Sequence, residues 1–183
     1  FGEKIINLAK KNSSKIIPLD SEHNSIHHLL NNYKEKFKSI TITASGGPFY
    51  KLKHTELKNI TPADALKHPV WNMGKKISID SSTMMNKALE IIEAKNLFNL
   101  KNNQVNALIH PQSVIHAMVN YNNGTSIALL HRPDMKIPIS SLFYGFAGYM
   151  KKNNELNLDK ISKLDFFPMN EKRFPAIKLA KQV

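Results

Sequence analysis

Residues 81–98 read SSTMMNKALEIIEAKNLF and form the clearest helical pattern in the chain. Apolar side chains recur at helical spacing and define one face, which we expect to be buried. This face consists of Met84, Ala88, Ile91 and Ile92. A polar stripe at positions i, i+3, i+4 and i+7 consists of Thr83, Asn86, Lys87 and Glu90. Such a stripe is usual on a surface helix, so by itself it assigns no function.

Short apolar runs before and after this helix predict strands. The runs are KIIPL at 15–19, SITITAS at 39–45, KKISID at 75–80 and VNALIH at 105–110. Residues 113–131 hold NNG between two β-rich runs, which is typical of a β-hairpin. Further helical patterns are NSIHHLLNNY, capped by Ser21 or Asn24, TPADALKHP, and the stretch after Phe174. This alternation predicts an α/β (α+β) domain with a small, mostly parallel or mixed sheet, flanking helices and a hairpin.

The composition is that of a folded globular protein with a strong positive charge. The chain has 183 residues, 42 % of them hydrophobic, and a formal net charge of +12. Arginine occurs only at Arg132 and Arg173, whereas readers of nucleic-acid bases favour arginine over lysine. A small anionic substrate therefore explains the charge as well as nucleic acid does. The chain has no cysteine, which excludes thiol chemistry, and no apolar run long enough to span a bilayer.

Two carboxylates, Asp20 and Glu22, follow the first apolar run with one residue between them. On an extended segment, side chains at i and i+2 point the same way and can reach one cation. Oxygen ligands suit a hard divalent metal such as Mg²⁺ or Mn²⁺. The alternative is a helix N-terminus, where acidic side chains interact favourably with the helix dipole without any metal.

Hydroxyl side chains cluster at the predicted start of the long helix, in DSST at 80–83. A helix N-terminus with hydroxyls can bind phosphate, and Lys87 could add a positive charge to the same anion. Glu90 lies one helical turn beyond Asn86. A ligand with phosphate at one end and metal-chelating oxygens at the other would match this spacing.

Two loops are further candidates for ligand contacts. SGGPF at 45–49 lets the backbone approach an anion closely, although a tight turn explains it equally well. HPVWNMG at 68–74 holds the only tryptophan, either anchored in the core or as part of a lid over a ligand. His68 and His116 are candidate site residues, although lone histidines are more often structural. No G-x-G-x-x-G or Walker pattern for nucleotide binding occurs in the chain.

Taken together and in this order, these segments resemble the 1-deoxy-D-xylulose 5-phosphate reductoisomerase family. The matching stretches are LDSEHNSI, TASGGPF, HPVWNMGKKISIDSSTMMNKALEIIEA, ALIHPQSVIHAMV and PDMKIPI, and they cover most of residues 16–139. The block from His68 to Ala94 is the most specific of them. RFPAIKLA at 173–180 resembles the family's linker into a C-terminal helical domain.

The resemblance implies an enzyme that depends on NADPH and a divalent metal, with Mg²⁺, Mn²⁺ and Co²⁺ as candidates. It would convert 1-deoxy-D-xylulose 5-phosphate to 2-C-methyl-D-erythritol 4-phosphate in non-mevalonate isoprenoid biosynthesis. The metal would chelate adjacent sugar oxygens, and NADPH would reduce the rearranged skeleton. The implied setting is a bacterial cytoplasm, with a plastid as the alternative, and the full-length enzyme would be a homodimer. Neither nucleic acid nor a membrane is an expected partner.

The resemblance also implies roles for individual residues. The metal would be held by Asp20, Glu22 and Glu90. The substrate would contact Ser21, Glu22, Ser45, His68, Ser81, Asn86, Lys87 and Glu90. Its phosphate end would be held by Ser45, Ser81, Asn86 and Lys87. Trp71 and Met73 would belong to a flap over the sugar, Gly74 would approach the NADPH cofactor, and His116 and Met135 would lie at the pocket wall.

By the same resemblance, residues 1–145 form the catalytic metal- and substrate-binding domain, and residues 146–183 form a linker and the start of a C-terminal helical region. The family's NADPH-binding domain, with its glycine-rich turn, would precede this segment. The chain alone is therefore expected to bind metal and substrate weakly and to transfer no hydride. Two alternatives are a basic module that binds polyanions or nucleic acid and a metal-dependent sugar-phosphate isomerase without a redox step.

Overall fold

The computed structural model of the protein describes residues 2–53, 55–145 and 155–183. In these residues the strands are β1 Phe37–Ala44, β2 Val105–Ile109, β3 Ile115–Tyr121, β4 Ser126–Leu130 and β5 Phe167–Pro168. The α-helices are α1 Gly2–Lys11, α2 Ser21–Asn32, α3 Pro62–Ala65, α4 Lys75–Ser82, α5 Met85–Phe98, α6 Lys136–Tyr144 and α7 Pro175–Gln182. Short 3₁₀ helices occupy Glu56–Asn59, Asn102–Gln104 and Leu158–Lys160.

The strands form one mixed sheet in the order β4-β3-β1-β2-β5. β1 pairs with β2 in parallel, with Ile40 opposite Val105, and with β3 in antiparallel orientation, with Ile40 opposite Val119. The chain between the two parallel strands includes α3, α4 and α5, which is the crossover that a parallel pair requires. The predicted α/β class with a mixed sheet, flanking helices and a hairpin is therefore confirmed.

The hydrophobic core lies between the sheet and helices α2, α5 and α7. Its fully buried members include Ile26, Ile40, Ile42, Ile91, Val105, Ala117, Val119 and Ile177. Burying one such isoleucine side chain contributes roughly 1.5–3 kcal/mol. Because α7 packs against α5 in this same core, the last helix is held by the packing that also fixes the long helix of the site.

Several predicted elements are confirmed. The strands at 39–45 and 105–110 are β1 and β2, and the hairpin at 113–131 is formed by β3 and β4. The helical turn after Thr61 is α3, with Pro62 at its first position, and the helix after Phe174 is α7. These patterns were readable because β-branched residues, turn residues and prolines mark each boundary.

The strand predicted at 15–19 is wrong. Within the described residues this run belongs to no strand or helix, and Ile17 and Leu19 are about two-fifths exposed, at 39 % and 43 %. Pro18 has no backbone N–H to donate to a sheet ladder, which disfavours a strand here. The prediction relied on the apolar composition alone.

The strand predicted at 75–80 is also wrong, because these residues form α4. Ile77 and Ile79 have the two-residue spacing of a strand, yet both are about two-fifths exposed, and the buried residue of the run is Ser78. The predicted helix 81–98 is correct only from Met85, since residues 81 and 82 complete α4. Met84 separates the two helices with a left-handed backbone, φ 59°. Residues 146–154 of the predicted linker lie outside the described residues.

None of the helices in the described ranges combines the length and the apolar character needed to cross a bilayer.

Candidate active site

One cavity of about 380 Å³ lies between the start of α2, the turn after β1, the segment 68–74 and helices α4 and α5. Every residue that the sequence assigned to the metal, the substrate, the flap or the cofactor lines this cavity, and so does Met135. Residues far apart in the chain therefore meet at one site. His116 is placed behind the wall, where it is buried and its ring lies 6.3 Å from that of Trp71.

The first carboxylate, Asp20, is the N-cap of α2. Its side chain accepts a hydrogen bond from the backbone N–H of His23 at 2.8 Å, and the His23 ring contacts the same carboxylate. Asp20 therefore takes the capping position predicted for Ser21 or Asn24. Glu22 sits in the first turn of the helix rather than on an extended segment, so the predicted local geometry was wrong and both acids lie at a helix N-terminus, where the alternative placed them.

Glu22 and Glu90 come together through a lysine. The Lys87 ammonium donates to Glu22 Oε1 and to Glu90 Oε2, each at 2.5 Å. Asn86 donates to Glu90 Oε1 at 2.6 Å, and Ser21 donates to Glu22 Oε2 at 2.5 Å. Two acids from different helices thus share one buried cation, and each has a further polar partner that fixes its orientation.

The pKa values of these groups follow from burial and charge. Burial, together with the negative charge of Glu22, raises the pKa of Glu90 to about 8. Burial acts most strongly and would raise the pKa of Glu22, but the charge and hydrogen bond of Lys87, together with the charge of His116, outweigh it and lower that pKa. Burial opposes the charge on Lys87, yet Glu22 and Glu90 raise its pKa above its ordinary value. The site therefore favours a cation among its carboxylates.

His23 is a site residue that sequence reasoning missed. It is buried, and its Nε2 lies 2.9 Å from the backbone oxygen of Glu90 while its Nδ1 contacts Asp20. Burial alone would lower the pKa of His23, but the hydrogen bond and charge of Asp20 raise it to about 9. The same contacts, against the effect of burial, lower the pKa of Asp20. The available signal was a histidine at the third helical position after an aspartate cap.

A second group of possible metal ligands adjoins the first. Ligand atoms of Asp20, His23 and Glu93 all lie within 4.8 Å of one another. However, both His23 ring nitrogens already face oxygen atoms, and Glu93 is largely exposed, with a side-chain exposure of 59 %. Oxygen donors are what a hard divalent cation prefers. Asp20, Glu22 and Glu90 offer oxygen donors alone, whereas the adjoining group, the one among the described residues whose ligand atoms lie this close together, includes an imidazole nitrogen.

The turn after β1 packs against the end of α4 at this cavity. Gly47 has φ +62°, and a Cβ placed there would lie 2.9 Å from the Ser81 backbone oxygen. Only glycine allows this approach, which brings Ser45 and Ser81 to one wall. Ser81 lies in the last turn of α4, so the prediction that the hydroxyls of 80–83 begin a helix was wrong.

His68 is held in one tautomer by its own loop. Its Nδ1 accepts the backbone N–H groups of Trp71 at 2.8 Å and Val70 at 3.2 Å. Nε2 therefore carries the proton and donates to Ser45 Oγ at 2.9 Å. The Gly47 N–H also donates to this hydroxyl, at 3.3 Å, so the Ser45 O–H is left to donate to a ligand.

Family models match most of the chain. A model described as the 1-deoxy-D-xylulose 5-phosphate reductoisomerase C-terminal domain matches residues 16–98, and one described as the DXP reductoisomerase C-terminal domain matches residues 130–183. This chain belongs to the 1-deoxy-D-xylulose 5-phosphate reductoisomerase family. The matched residues include both helices that carry the acidic side chains of the cavity.

Individual members of the reductoisomerase family align with the whole chain. A 1-deoxy-D-xylulose 5-phosphate reductoisomerase of Wolbachia pipientis wMel is 47 % identical over all of this chain and 47 % of its own length. One from Chlamydia pneumoniae is 44 % identical over all of this chain and 48 % of its own length. The chain thus spans about half the length of the curated relatives it matches.

Solved reductoisomerase structures share the fold. A crystal structure of DOX-P reductoisomerase in complex with NADPH, fosmidomycin and magnesium aligns with a TM-score of 0.90 and 38 % identity. It covers 99 % of this chain, which covers 47 % of that one. The enzyme from Zymomonas mobilis in complex with NADPH aligns with a TM-score of 0.84 and 39 % identity.

Proposed function

We propose that this chain supplies the metal- and substrate-binding site of a 1-deoxy-D-xylulose 5-phosphate reductoisomerase. The reaction is the isomerisation and NADPH-dependent reduction of 1-deoxy-D-xylulose 5-phosphate to 2-C-methyl-D-erythritol 4-phosphate in non-mevalonate isoprenoid biosynthesis. The observation that carries the proposal is the cavity itself, which is lined by three carboxylates from two helices together with hydroxyl, amide and ammonium donors. The names of the relatives and the NADPH and magnesium in similar structures support it.

Asp20, Glu22 and Glu90 are the residues that would hold the divalent cation, Mg²⁺, Mn²⁺ or Co²⁺. When bound, the cation supplies a Lewis acid for adjacent sugar oxygens, and NADPH supplies a hydride. The protein's own contribution is to fix the ligands. Ser21 orients Glu22, Asn86 orients Glu90, and His23 contacts Asp20 and the backbone of α5.

The anionic end of the substrate fits the hydroxyl, amide and ammonium donors of the same cavity. Ser45 has a free O–H to donate, and Ser81, Asn86 and Lys87 line the same cavity. His68, which donates to Ser45, would contact the substrate as well. Ser45, which the His68 ring and the Gly47 N–H hold in place before the ligand arrives, loses little entropy on binding, and this favours recognition of phosphate.

The segment 68–74 would form the cover of the site. Trp71 and Met73 line the cavity from this segment, and its far end, Gly74, is the N-cap of α4. A Cβ at Gly74 would meet no atom of the described residues within 4 Å, so this position is open toward a cofactor. Excluding water with apolar side chains strengthens every electrostatic contact inside the site.

For the full-length protein we propose a cellular location, an oligomeric state and a separate cofactor-binding domain. We place the reaction in a bacterial cytoplasm, as the bacterial relatives favour, and assign the full-length enzyme a homodimeric state. NADPH would be bound largely by a domain outside these 183 residues. The basic charge would attract the sugar phosphate rather than nucleic acid, because the cavity concentrates anion-binding donors.

The single tryptophan provides a direct test. 1-Deoxy-D-xylulose 5-phosphate is titrated into the chain with Mn²⁺ and again with a chelator, while Trp71 fluorescence is recorded. We expect a saturable change in fluorescence that requires Mn²⁺ and is absent in Trp71→Phe. A folded chain that responds equally with and without metal, or does not respond at all, would contradict it. Affinity for duplex DNA that falls steeply with salt and ignores sugar phosphate would instead support the polyanion-binding alternative.

A further inference from the structure

Lys87 occupies the position of a cation between two of the carboxylates assigned to the metal. Its ammonium lies 2.5 Å from Glu22 Oε1 and 2.5 Å from Glu90 Oε2, and its side chain is only 5 % exposed. At these distances the ammonium and a divalent cation ligated by the same two oxygens would overlap. Lys87 in this position and a bound metal are therefore mutually exclusive.

The same side chain lines the cavity next to the anion-binding donors. Ser45, Ser81 and Asn86 line the cavity with it, and Asn86 immediately precedes it on α5. A lysine is a compact charge on a flexible four-carbon stem, so its ammonium can change partners without any movement of the helix. Two arrangements of Lys87 are thus available within one cavity, one on the carboxylates and one on an anion.

The carboxylates need a cation whether or not a metal is present. Glu90 is 5 % exposed and bonded to Lys87 and Asn86, and Glu22 reaches it across the gap between α2 and α5. When both are ionised, two carboxylates this close without a counter-charge would repel and disfavour the packing of these helices. Lys87 supplies that charge from within the chain.

We propose that Lys87 is a resident cation that the divalent metal displaces, and that the released ammonium then binds the phosphate end of the substrate. This inference rests on the proposed function and adds an order of events to it. Metal binding prepares the anion site, and an anion that holds Lys87 away from the carboxylates favours the metal. By thermodynamic linkage, each ligand must increase the affinity for the other by the same factor.

The first test measures Mn²⁺ binding alone, without substrate, by the electron paramagnetic resonance signal of free Mn²⁺. Lys87→Met removes the competitor and is expected to tighten Mn²⁺ binding about tenfold, within the usual range of coupling between sites. Lys76→Met is the matched control, because Lys76 carries the same charge but is exposed and pairs with Asp80 at 2.6 Å. A lysine that serves only the phosphate would leave Mn²⁺ affinity as it is in the control, and that result would overturn the exchange.

The second test uses the wild-type chain and needs no variant to fold. Acetylation of each lysine by acetic anhydride is followed by peptide mass spectrometry with and without Mg²⁺. Mg²⁺ is expected to increase acetylation of Lys87 several-fold, and inorganic phosphate added with Mg²⁺ is expected to reverse the increase, while Lys76 stays constant. Acetylation of Lys87 that Mg²⁺ leaves unchanged or slows would overturn the proposal.

Different results would overturn the metal site and the displacement of Lys87 by the metal. If Mn²⁺ binds and Glu90→Gln weakens it, but Lys87→Met has no effect, the metal site stands and only the exchange is overturned. If the wild-type chain binds no Mn²⁺, both are overturned.

Discussion

His23 Nε2 lies 2.9 Å from the backbone oxygen of Glu90. A side chain on α2 therefore contacts the main chain of α5 at one of the acidic residues of the site. The other ring nitrogen contacts Asp20. One imidazole therefore sets the separation of two helices and the orientation of the first carboxylate.

His23→Gln should disturb both helices and the site. Loss of a buried hydrogen-bonded group of this kind costs roughly 1–3 kcal/mol of unfolding free energy. We expect that loss in urea unfolding, together with weaker Mn²⁺ binding. His27→Gln, on the same helix and only part-buried, is the control and should leave Mn²⁺ affinity unchanged. Equal Mn²⁺ affinity in wild type and His23→Gln would show that the histidine has no part in placing the ligands.

Gly47→Ala should be more costly than the same change at another glycine with positive φ. The new Cβ would press against the Ser81 backbone oxygen at 2.9 Å, whereas a Cβ at Gly124, with φ +86°, would meet no atom within 4 Å in the part of the chain that the structure describes. Backbone strain alone costs about 1–2 kcal/mol at either position. The unfolding free energy should fall further in Gly47→Ala, and phosphate affinity should fall only there. Equal losses of stability in the two variants would contradict the close approach.

His116 should make the protein acid-sensitive. Burial, followed by the positive charge of His131, lowers its pKa to about 4, against 6.5 for an ordinary histidine. Between these values the unfolded state binds the extra proton, so stability falls as pH falls from 6.5 toward 4. By pH 5 the loss is on the order of 2 kcal/mol.

The comparison of wild type with His116→Gln isolates this effect. Urea unfolding of both proteins at pH 7, 6 and 5 should show the variant losing less stability than wild type as the pH falls. His131 stacks on His116 with ring centres 3.6 Å apart, so His131→Gln should also relieve part of the loss. Parallel pH profiles for wild type and His116→Gln would show that the ring is not held neutral.

Local signals in the sequence were sufficient for much of the fold. β1 is rich in β-branched residues and is followed closely by two glycines, and the hairpin has its NNG turn. Both elements could therefore be placed without tertiary information. The run at 75–80 could not, because its two isoleucines have strand spacing, and only the surrounding structure makes it a helix. The left-handed Met84 that divides α4 from α5 leaves no mark in the residue type.

For the site, the candidate residues could be predicted from the sequence, but their arrangement could not. Asp20, Glu22 and Glu90 could be chosen from their chemistry and from the family resemblance, and all three line the cavity. Their helical setting depends on a cap and on packing between elements 65 and more residues apart, as in the Lys87–Glu22 contact. The contact of His23 with the Glu90 backbone is likewise tertiary, which is why His23 was missed.

A comparison of Mn²⁺ affinity in Glu90→Gln and Glu93→Gln is the most direct test of the metal-ligand assignment. Both residues lie on α5 within one turn, and both changes remove one negative charge, but Glu90 lines the cavity whereas Glu93 belongs to the adjoining group with Asp20 and His23. If Glu90 is a metal ligand, Glu90→Gln should weaken Mn²⁺ binding at least about tenfold, whereas Glu93→Gln should change it little. Equal affinity in wild type and Glu90→Gln, or a larger loss in Glu93→Gln, would contradict the assignment of the metal site.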